Sequence, residues 1–310
     1  MGSHLAEYLV ANGVEVQGTL RPGGSRANLC AFEGALTLYE VDLTDAAGVC
    51  QVVAEARPDQ VFHLAAQASV ARSWQDPAQT MSANIFGQLN VLEALVGAEL
   101  QPAVLVVGSS EEYGHPRPEE LPIKETNPLR PSDPYSVSKV AQDFMGYQYF
   151  AGLGLPCVRV RPFNHIGPRQ SDSFVTASFA RQIAEAEAGL REAVVKVGNL
   201  EAQRDFTDVR DVVRAYRLAL LKGEPGEVYN LGSGRMVPVQ RILDFYLSQA
   251  RVSIQVEQDP ARTRPADVPA VVCDATKLRE ATGWEPRIPL EQTLTDILNY
   301  WREKVTKGKG

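Results

Sequence analysis

Apolar positions along the chain fall into two kinds of run. Uninterrupted short ones, Gln60-Val61-Phe62-His63-Leu64 and Ala103-Val104-Leu105-Val106-Val107, read as buried strands, and Cys157 to Pro162 and Val194 to Val197, broken by Arg159, Arg161 and Lys196, read as strands as well. Val14 to Thr19, Leu36 to Val41 and Tyr229-Asn230-Leu231 read as further strands. Helical spacing appears between them. Leu5, Tyr8 and Leu9 share a face in a first helix that ends at Gly13, and a second helix runs from about Met81 to Leu95. A third opens at Pro134 behind the cap Asp133, with Val137, Val140, Phe144 and Tyr147 on one apolar face. Others reach to about Ala188, span Val239 to Gln249, and close the chain. Strands alternating with amphipathic helices predict an α/β fold, a doubly wound parallel sheet followed by a smaller, irregular C-terminal lobe. The division is expected near residue 163, with about 208–234 returning from the second part (164–310) to the first (1–163).

Composition narrows the class. With 310 residues the chain can bury a large core, and 44% hydrophobic content is that of a globular protein. A net charge of -7 argues against a nucleic-acid or anionic-membrane surface. No apolar run approaches a membrane span, and no signal peptide is visible. Cys30, Cys50, Cys157 and Cys273 lack metal-ligand spacing, so reduced, mostly buried thiols in a cytoplasmic protein are expected.

The chemistry centres on Ser132-Asp133-Pro134-Tyr135-Ser136-Val137-Ser138-Lys139. Tyr135 and Lys139, four apart on a helix, share a side, so an ammonium can stand near a phenol and favour its ionised form. The preceding strand, Ala103 to Val107, runs into Gly108-Ser109-Ser110-Glu111-Glu112-Tyr113-Gly114. Hydroxyls and carboxylates thus gather at a strand's C-terminal end, where open parallel sheets bind ligands. His63, inside an apolar run, reads as a satisfied structural histidine.

A hydroxyl-rich strand end followed by Tyr-x-x-x-Lys resembles the extended short-chain dehydrogenase/reductase superfamily, with its Rossmann-type sheet. Gly108 to Gly114, Phe163-Asn164-His165-Ile166-Gly167-Pro168, Gly198 to Asp211 and Arg264-Pro265-Ala266-Asp267-Val268 are similar to its GDP-sugar branch. Ser109 where the dehydratases of that branch carry Thr, the compact chain, and Ile-Gly-Pro after Asn-His lean towards the GDP-6-deoxy-D-mannose reductase family. The resemblance implies NADPH-dependent reduction of the C4 ketone of GDP-4-dehydro-6-deoxy-D-mannose to GDP-D-rhamnose. Tyr135 would give the proton, Lys139 would lower the phenol's pKa and hold the nicotinamide ribose, and Ser109 would hold the carbonyl. Glu111 is a carboxylate that a GDP-mannose 4,6-dehydratase would use on the C5 proton, so that activity stays as the alternative, and a non-catalytic nucleotide-sugar-binding protein as a further one.

The same resemblance assigns the NADP(H) contacts. Gly2 would be the last glycine of the phosphate-binding turn, so the numbering is expected to begin about a dozen residues late, without the first strand and most of that turn; as numbered, weak cofactor binding and low stability are expected. Thr19 and Arg21, where an NAD enzyme often shows an acid, suit a 2′-phosphate, unless they form a solvated basic loop. Asp42 and Leu43 would meet adenine, although an acid after a strand is also a routine helix cap. Ala65 and Ala66 let the backbone approach a ligand, and Asn84 lies near the cofactor or else caps or faces water. Asn164 and Ser110 would touch the sugar, and His165 would help shape the nicotinamide side. Arg204, with Arg264, Pro265, Ala266 and Asp267, would serve the nucleotide half of the substrate, a loop ion pair being the alternative for the last cluster. No metal site is expected. Two long helices, around Asn84 to Leu95 and Tyr135 to Phe150, imply a homodimer, although intrachain core explains their apolar positions equally.

Overall fold

Helix α1 (Gly2–Ala11) opens the chain and leads into strand β1 (Val16–Leu20), which pairs in parallel with β2 (Leu36–Glu40). The computed structural model describes residues 1–262 and 268–307. Next come α2 (Ala46–Ala56), β3 (Gln60–His63), α3 (Val70–Gln75), α4 (Pro77–Met81), a π-helical turn at Ser82–Phe86, α5 (Gly87–Gly97), β4 (Ala103–Val107), α6 (Pro134–Leu153) and β5 (Cys157–Pro162). The rest holds β6 (Asn164–Ile166), α7 (Val175–Glu187), β7 (Val194–Val197), β8 (Gln203–Asp208), α8 (Val209–Lys222), β9 (Val228–Leu231), β10 (Met236–Pro238), α9 (Val239–Gln249), β11 (Gln255–Gln258), α10 (Thr276–Thr282) and α11 (Leu290–Lys307).

The central sheet is parallel throughout, in the order β3-β4-β5-β9. Its side chains alternate between two cores, as the pleat requires. Val104 and Val106 of β4 pack with Val49, Leu92, Leu95 and Tyr149 from α2, α5 and α6. Leu105 points the other way, into a cluster with Val212 and Tyr216 of α8, Leu278 of α10 and Trp284. The α/β doubly wound arrangement is the one the alternating pattern predicts. Among the described residues β1 pairs only with β2 and β3 only with β4, so backbone hydrogen bonds do not join those two sheets. Leu5 and Leu9 of α1 pack on Val213 of α8, bordered by Val16, Phe62 and Leu64.

A separate core gathers α7, α9 and α11 around β7, β8 and β10, with Phe179, Ile183, Ile242, Tyr246, Ile297 and Trp301 at its centre. There β8 pairs in parallel with β6 and antiparallel with β10, and β11 pairs with β7. No described helix is long and apolar enough to cross a membrane.

Two expectations are corrected here. The helix predicted from Met81 to Leu95 is interrupted by the π-helical turn that carries Asn84. Cys157 and Cys273 are buried, but Cys30 and Cys50 are exposed. Helix α6 settles which side its apolar stripe takes. Asp133 caps α6 as predicted, accepting the Ser136 N–H at 2.9 Å, yet Val137, Phe144 and Tyr147 face outward. The inward face is Ser136, Ser138, Lys139, Gln142, Asp143 and Gly146. Burying such a face requires partners for every polar group. They are present: Asn84 Nδ2 donates to Ser138 Oγ at 2.8 Å, Gln88 Nε2 to the Gln142 carbonyl at 2.8 Å, and Arg159 Nη1 to Asp143 Oδ1 at 3.1 Å.

Candidate active site

The apolar run of β4 ends at Val107, and the chain turns at Gly108 into a 3-10 turn, Ser110–Tyr113. Ser109 caps that turn. Its Oγ accepts the Glu111 N–H at 3.2 Å, while Glu112 reaches back and takes the Ser109 N–H on Oε1 at 2.7 Å. This reciprocal capping fixes the serine's backbone at the C-terminal edge of the sheet. Tyr135, in the first turn of α6, is half-buried, and its phenol stands close enough to the Ser109 side chain for the serine to act on it. Lys139, one turn on, is buried and donates from Nζ to Gln142 Oε1 at 2.6 Å.

The electrostatics of this trio differ from the expected ones. Burial raises the Tyr135 phenol above its ordinary value; the nearby Ser109 side chain opposes that, while Glu111, Glu112 and Asp133 add to it. The phenol is therefore a protonated donor at neutral pH, not a group drawn towards phenolate. Lys139 is pushed down by burial, against the pull of Glu112 and Asp143. Its ammonium is engaged with Gln142 instead of holding the phenol's proton loose.

Behind the trio lies a buried charge cluster that the sequence reading did not anticipate. Glu112 Oε2 lies 3.0 Å from Arg161 Nε, Arg161 pairs with Asp143, and Arg161 Nη1 donates to the Tyr113 hydroxyl at 2.9 Å. Tyr113 passes the chain on to Asn230 Oδ1 at 2.7 Å. The Ser109-x-x-Glu112 spacing, a capping-box signature, was the signal that could have found the first link.

The remaining predicted residues spread along the same strand ends. Ser110 and Glu111 are half-buried in the 3-10 turn, and Glu111 is close enough to act on the phenol. Ala65 is exposed and Ala66 half-buried after β3. Asn84 neither caps nor faces water: buried, it accepts the Gln67 N–H at 2.7 Å and donates to Ser138, tying the loop after β3 to α6. Thr19 and Arg21 are exposed at the end of β1. Asp42, beside Arg21, takes the N–H and hydroxyl of Thr44 at 2.9 and 2.8 Å, so it closes a turn, and the helix cap of α2 is Asp45. Leu43 gives its carbonyl to Asn90 Nδ2 at 2.8 Å. Gly2 starts α1, which His4 holds against the segment after β6 by a 2.9 Å contact to the Pro168 carbonyl. Asn164 and His165 lie half-buried on β6, and burial lowers the His165 ring to about 4. Arg204, on β8, donates from Nη1 to the carbonyls of Gln203 and Val268 at 2.9 and 2.7 Å. Arg264, Pro265, Ala266 and Asp267 lie outside the described residues.

A sequence profile of the family GDP-mannose 4,6 dehydratase matches residues 1–297. The chain belongs to that family, within the GDP-sugar branch of the short-chain dehydrogenase/reductases. It is 40% identical over 248 residues to GDP-6-deoxy-D-mannose reductase of Pseudomonas aeruginosa, covering 80% of this chain and 82% of that one. It is 32% identical over 330 residues to GDP-mannose 4,6 dehydratase 2 of Arabidopsis thaliana, covering 100% of this chain and 87% of that one. The structure of RMD from Pseudomonas aeruginosa complexed with NADPH superposes with a TM-score of 0.84 at 35% identity, over 94% of this chain and 100% of that chain.

Proposed function

We propose that this family member uses NADPH to reduce the C4 ketone of GDP-4-dehydro-6-deoxy-D-mannose, giving GDP-D-rhamnose. The observation that carries the reading is the Tyr135 phenol standing against the Ser109 side chain, with Lys139 one helical turn away, at the C-terminal edge of a parallel sheet. The reductase among its relatives supports reduction over dehydration.

The donor set suits the cofactor. Arg21, exposed beside Asp42, and Thr19 would hold a 2′-phosphate; Asp42 and Leu43 would meet the adenine, with Ala65 and Ala66 leaving room for the backbone to approach. Gly2, where a Cβ would meet nothing within 4 Å, opens the helix that would face the diphosphate, and Asn84 holds the neighbouring loop in place. Lys139 would hold the nicotinamide ribose and His165 would flank the nicotinamide. NADPH, when bound, supplies the hydride. Tyr135 protonates the oxygen that becomes an alkoxide, and Ser109 orients that oxygen by a hydrogen bond. Ser110 and Asn164 contact the sugar. Arg204 serves the nucleotide half, together with Arg264, Pro265, Ala266 and Asp267.

Glu111 favours a second reading, since it is a half-buried carboxylate beside the Tyr135 phenol, and removal of a C5 proton needs a carboxylate base next to the reacting sugar. The two chemistries differ in their electron balance. A reductase given the 4-keto-6-deoxy sugar consumes NADPH stoichiometrically, whereas a dehydratase given GDP-mannose returns its hydride and leaves NADPH absorbance unchanged. NADPH oxidation with the keto sugar is the expected result; dehydration of GDP-mannose without it would replace the reading.

The outward stripe of Val137, Phe144 and Tyr147 on α6, with Phe86 exposed nearby in sequence to α5, supports a homodimer through these helices. Exposed free thiols at Cys30 and Cys50 suit a reducing cytoplasm. The core around α7, α9 and α11 draws on residues 166–301, which supports a substrate lobe after residue 163.

A further inference from the structure

Behind Lys139 lie two side chains to which the reaction as proposed gives no part. An ammonium has three N–H groups and no acceptor, so whatever faces Lys139 Nζ must offer a lone pair. Gln142 offers Oε1 at 2.6 Å. The amide's NH2 end is thereby turned the other way, where His63 Nε2 stands 3.3 Å from Gln142 Nε2. An amide N–H can be received there only by a bare ring nitrogen, so the neutral imidazole carries its proton on Nδ1. Lys139, Gln142 and His63 are all buried, and water is not at hand to satisfy a wrong orientation. Gln88 Nε2 holds the Gln142 carbonyl at 2.8 Å, which fixes the backbone of that turn.

We propose that His63 and Gln142 are positioning residues of this site: the His63 tautomer dictates which way the Gln142 amide points, and the amide oxygen then fixes the Lys139 ammonium. The inference rests on the role proposed above for Lys139. A reversed amide would set N–H against ammonium on one side and leave the ring without its donor on the other, two unfavourable contacts in a dry site. Charge around the relay keeps it in one state. Glu112 from the 3-10 turn and Asp143 from α6 face Lys139 and favour its charged form. Burial first, and then Lys139, disfavour a charge on His63, lowering the ring to about 3.

The test is nitrogen NMR of the ligand-free protein labelled in histidine, with His63 assigned by its loss in His63→Gln. A protonated Nδ1 and a bare Nε2, unchanged down to about pH 5, are expected. A proton on Nε2, or an imidazolium at pH 6, overturns the proposal. Gln142→Glu provides a second measurement, because a carboxylate still receives Lys139 but presents only lone pairs to the ring. His63 should then take a proton on Nε2, and a ring left bare at Nε2 overturns the proposal even if His63→Gln does not fold. In the folded variants Gln142→Leu and His63→Phe, NADPH affinity by fluorescence should fall about 10-fold through a mispositioned Lys139. Unchanged affinity in both, where Lys139→Ala does weaken binding, overturns the positioning. Lys139→Ala binding NADPH like the parent would instead remove the role assigned to Lys139, leaving the tautomer to be judged by the NMR alone.

Discussion

The carboxylate of Glu112 sits 2.7 Å from the backbone nitrogen of Ser109, and the residue that admits it is Gly108. A Cβ at Gly108 would lie 2.3 Å from Glu112 Oε1 and 3.2 Å from the Val160 carbonyl. Glu112 is fully buried against Arg161, so it cannot swing into water when displaced. Gly108→Ala is therefore expected to destabilise the protein by about 1–3 kcal/mol, as overpacking does, and to lower turnover by loosening Ser109. Thermal melting and NADPH oxidation on the same preparation check it; a melt and rate equal to the parent's would show that the carboxylate moves freely.

Removing the phenolic oxygen isolates the proton donor. Tyr135→Phe keeps the ring in place, deletes the hydroxyl that Ser109 meets, and is expected to lower kcat by about 10²-fold or more with little change in substrate binding. Equal rates in the two proteins would take Tyr135 out of the acid role. Ser109→Ala should cost less, since the phenol keeps its proton without it.

Strands β4, β5 and β7 were legible to the residue because each is a short apolar and β-branched run, unbroken in β4 and interrupted only by Arg159 and Arg161 in β5 and by Lys196 in β7, with polar or turn residues at its ends. The opening of α6 was legible from Asp133 and Pro134, which do locally what their types dictate. Its orientation was not. Periodicity tells which residues share a face, and Val137, Phe144 and Tyr147 do share one, but whether that face looks inward depends on what the opposite side meets. Here Ser138, Lys139, Gln142 and Asp143 meet Asn84, His63, Gln88, Arg159 and Arg161 from segments far away in sequence, and that network outweighs the apolar stripe. The π-helical turn at Ser82–Phe86 had no pattern to announce it, and Asn84 was placed by tertiary contacts alone. That Lys139 does not lower the phenol's pKa in the folded protein was hidden for a related reason. Spacing brought Lys139 near Tyr135 but could not show that Gln142 would take the ammonium.

The exposed stripe leads to a prediction about assembly. Val137 is 43%, Phe144 52% and Tyr147 48% exposed, a run of large apolar side chains that a lone protein would leave in water. Phe144→Glu should convert a dimer into a monomer while leaving the melting profile of the monomer cooperative, because the side chain contributes to no buried cluster within the chain. Light scattering after gel filtration reads the change. A parent protein that runs as a monomer, or a Phe144→Glu variant that stays dimeric, would move the interface off this face.

Stability should fall with acid earlier than carboxylate titration alone would bring about. Burial lowers His4 to about 4, His63 to about 3 and His165 to about 4, from an ordinary value of about 6.5. Between those values the unfolded chain binds protons that the folded one refuses, so stability is fully present above about pH 6.5 and is lost as pH falls through 4. Glu112 works in the opposite sense, because burial and then Asp143 raise it and the fold retains its proton more readily. Asp205, likewise raised by burial, acts with Glu112, and the three rings outnumber these carboxyls, so unfolding takes up protons between pH 6 and 5. The melting temperature should therefore drop steadily across that interval, and His63→Phe should make the slope shallower by one proton's share. A melting temperature that is level from pH 6.5 to 5 would mean that these rings already carry charge in the folded protein, contrary to their burial.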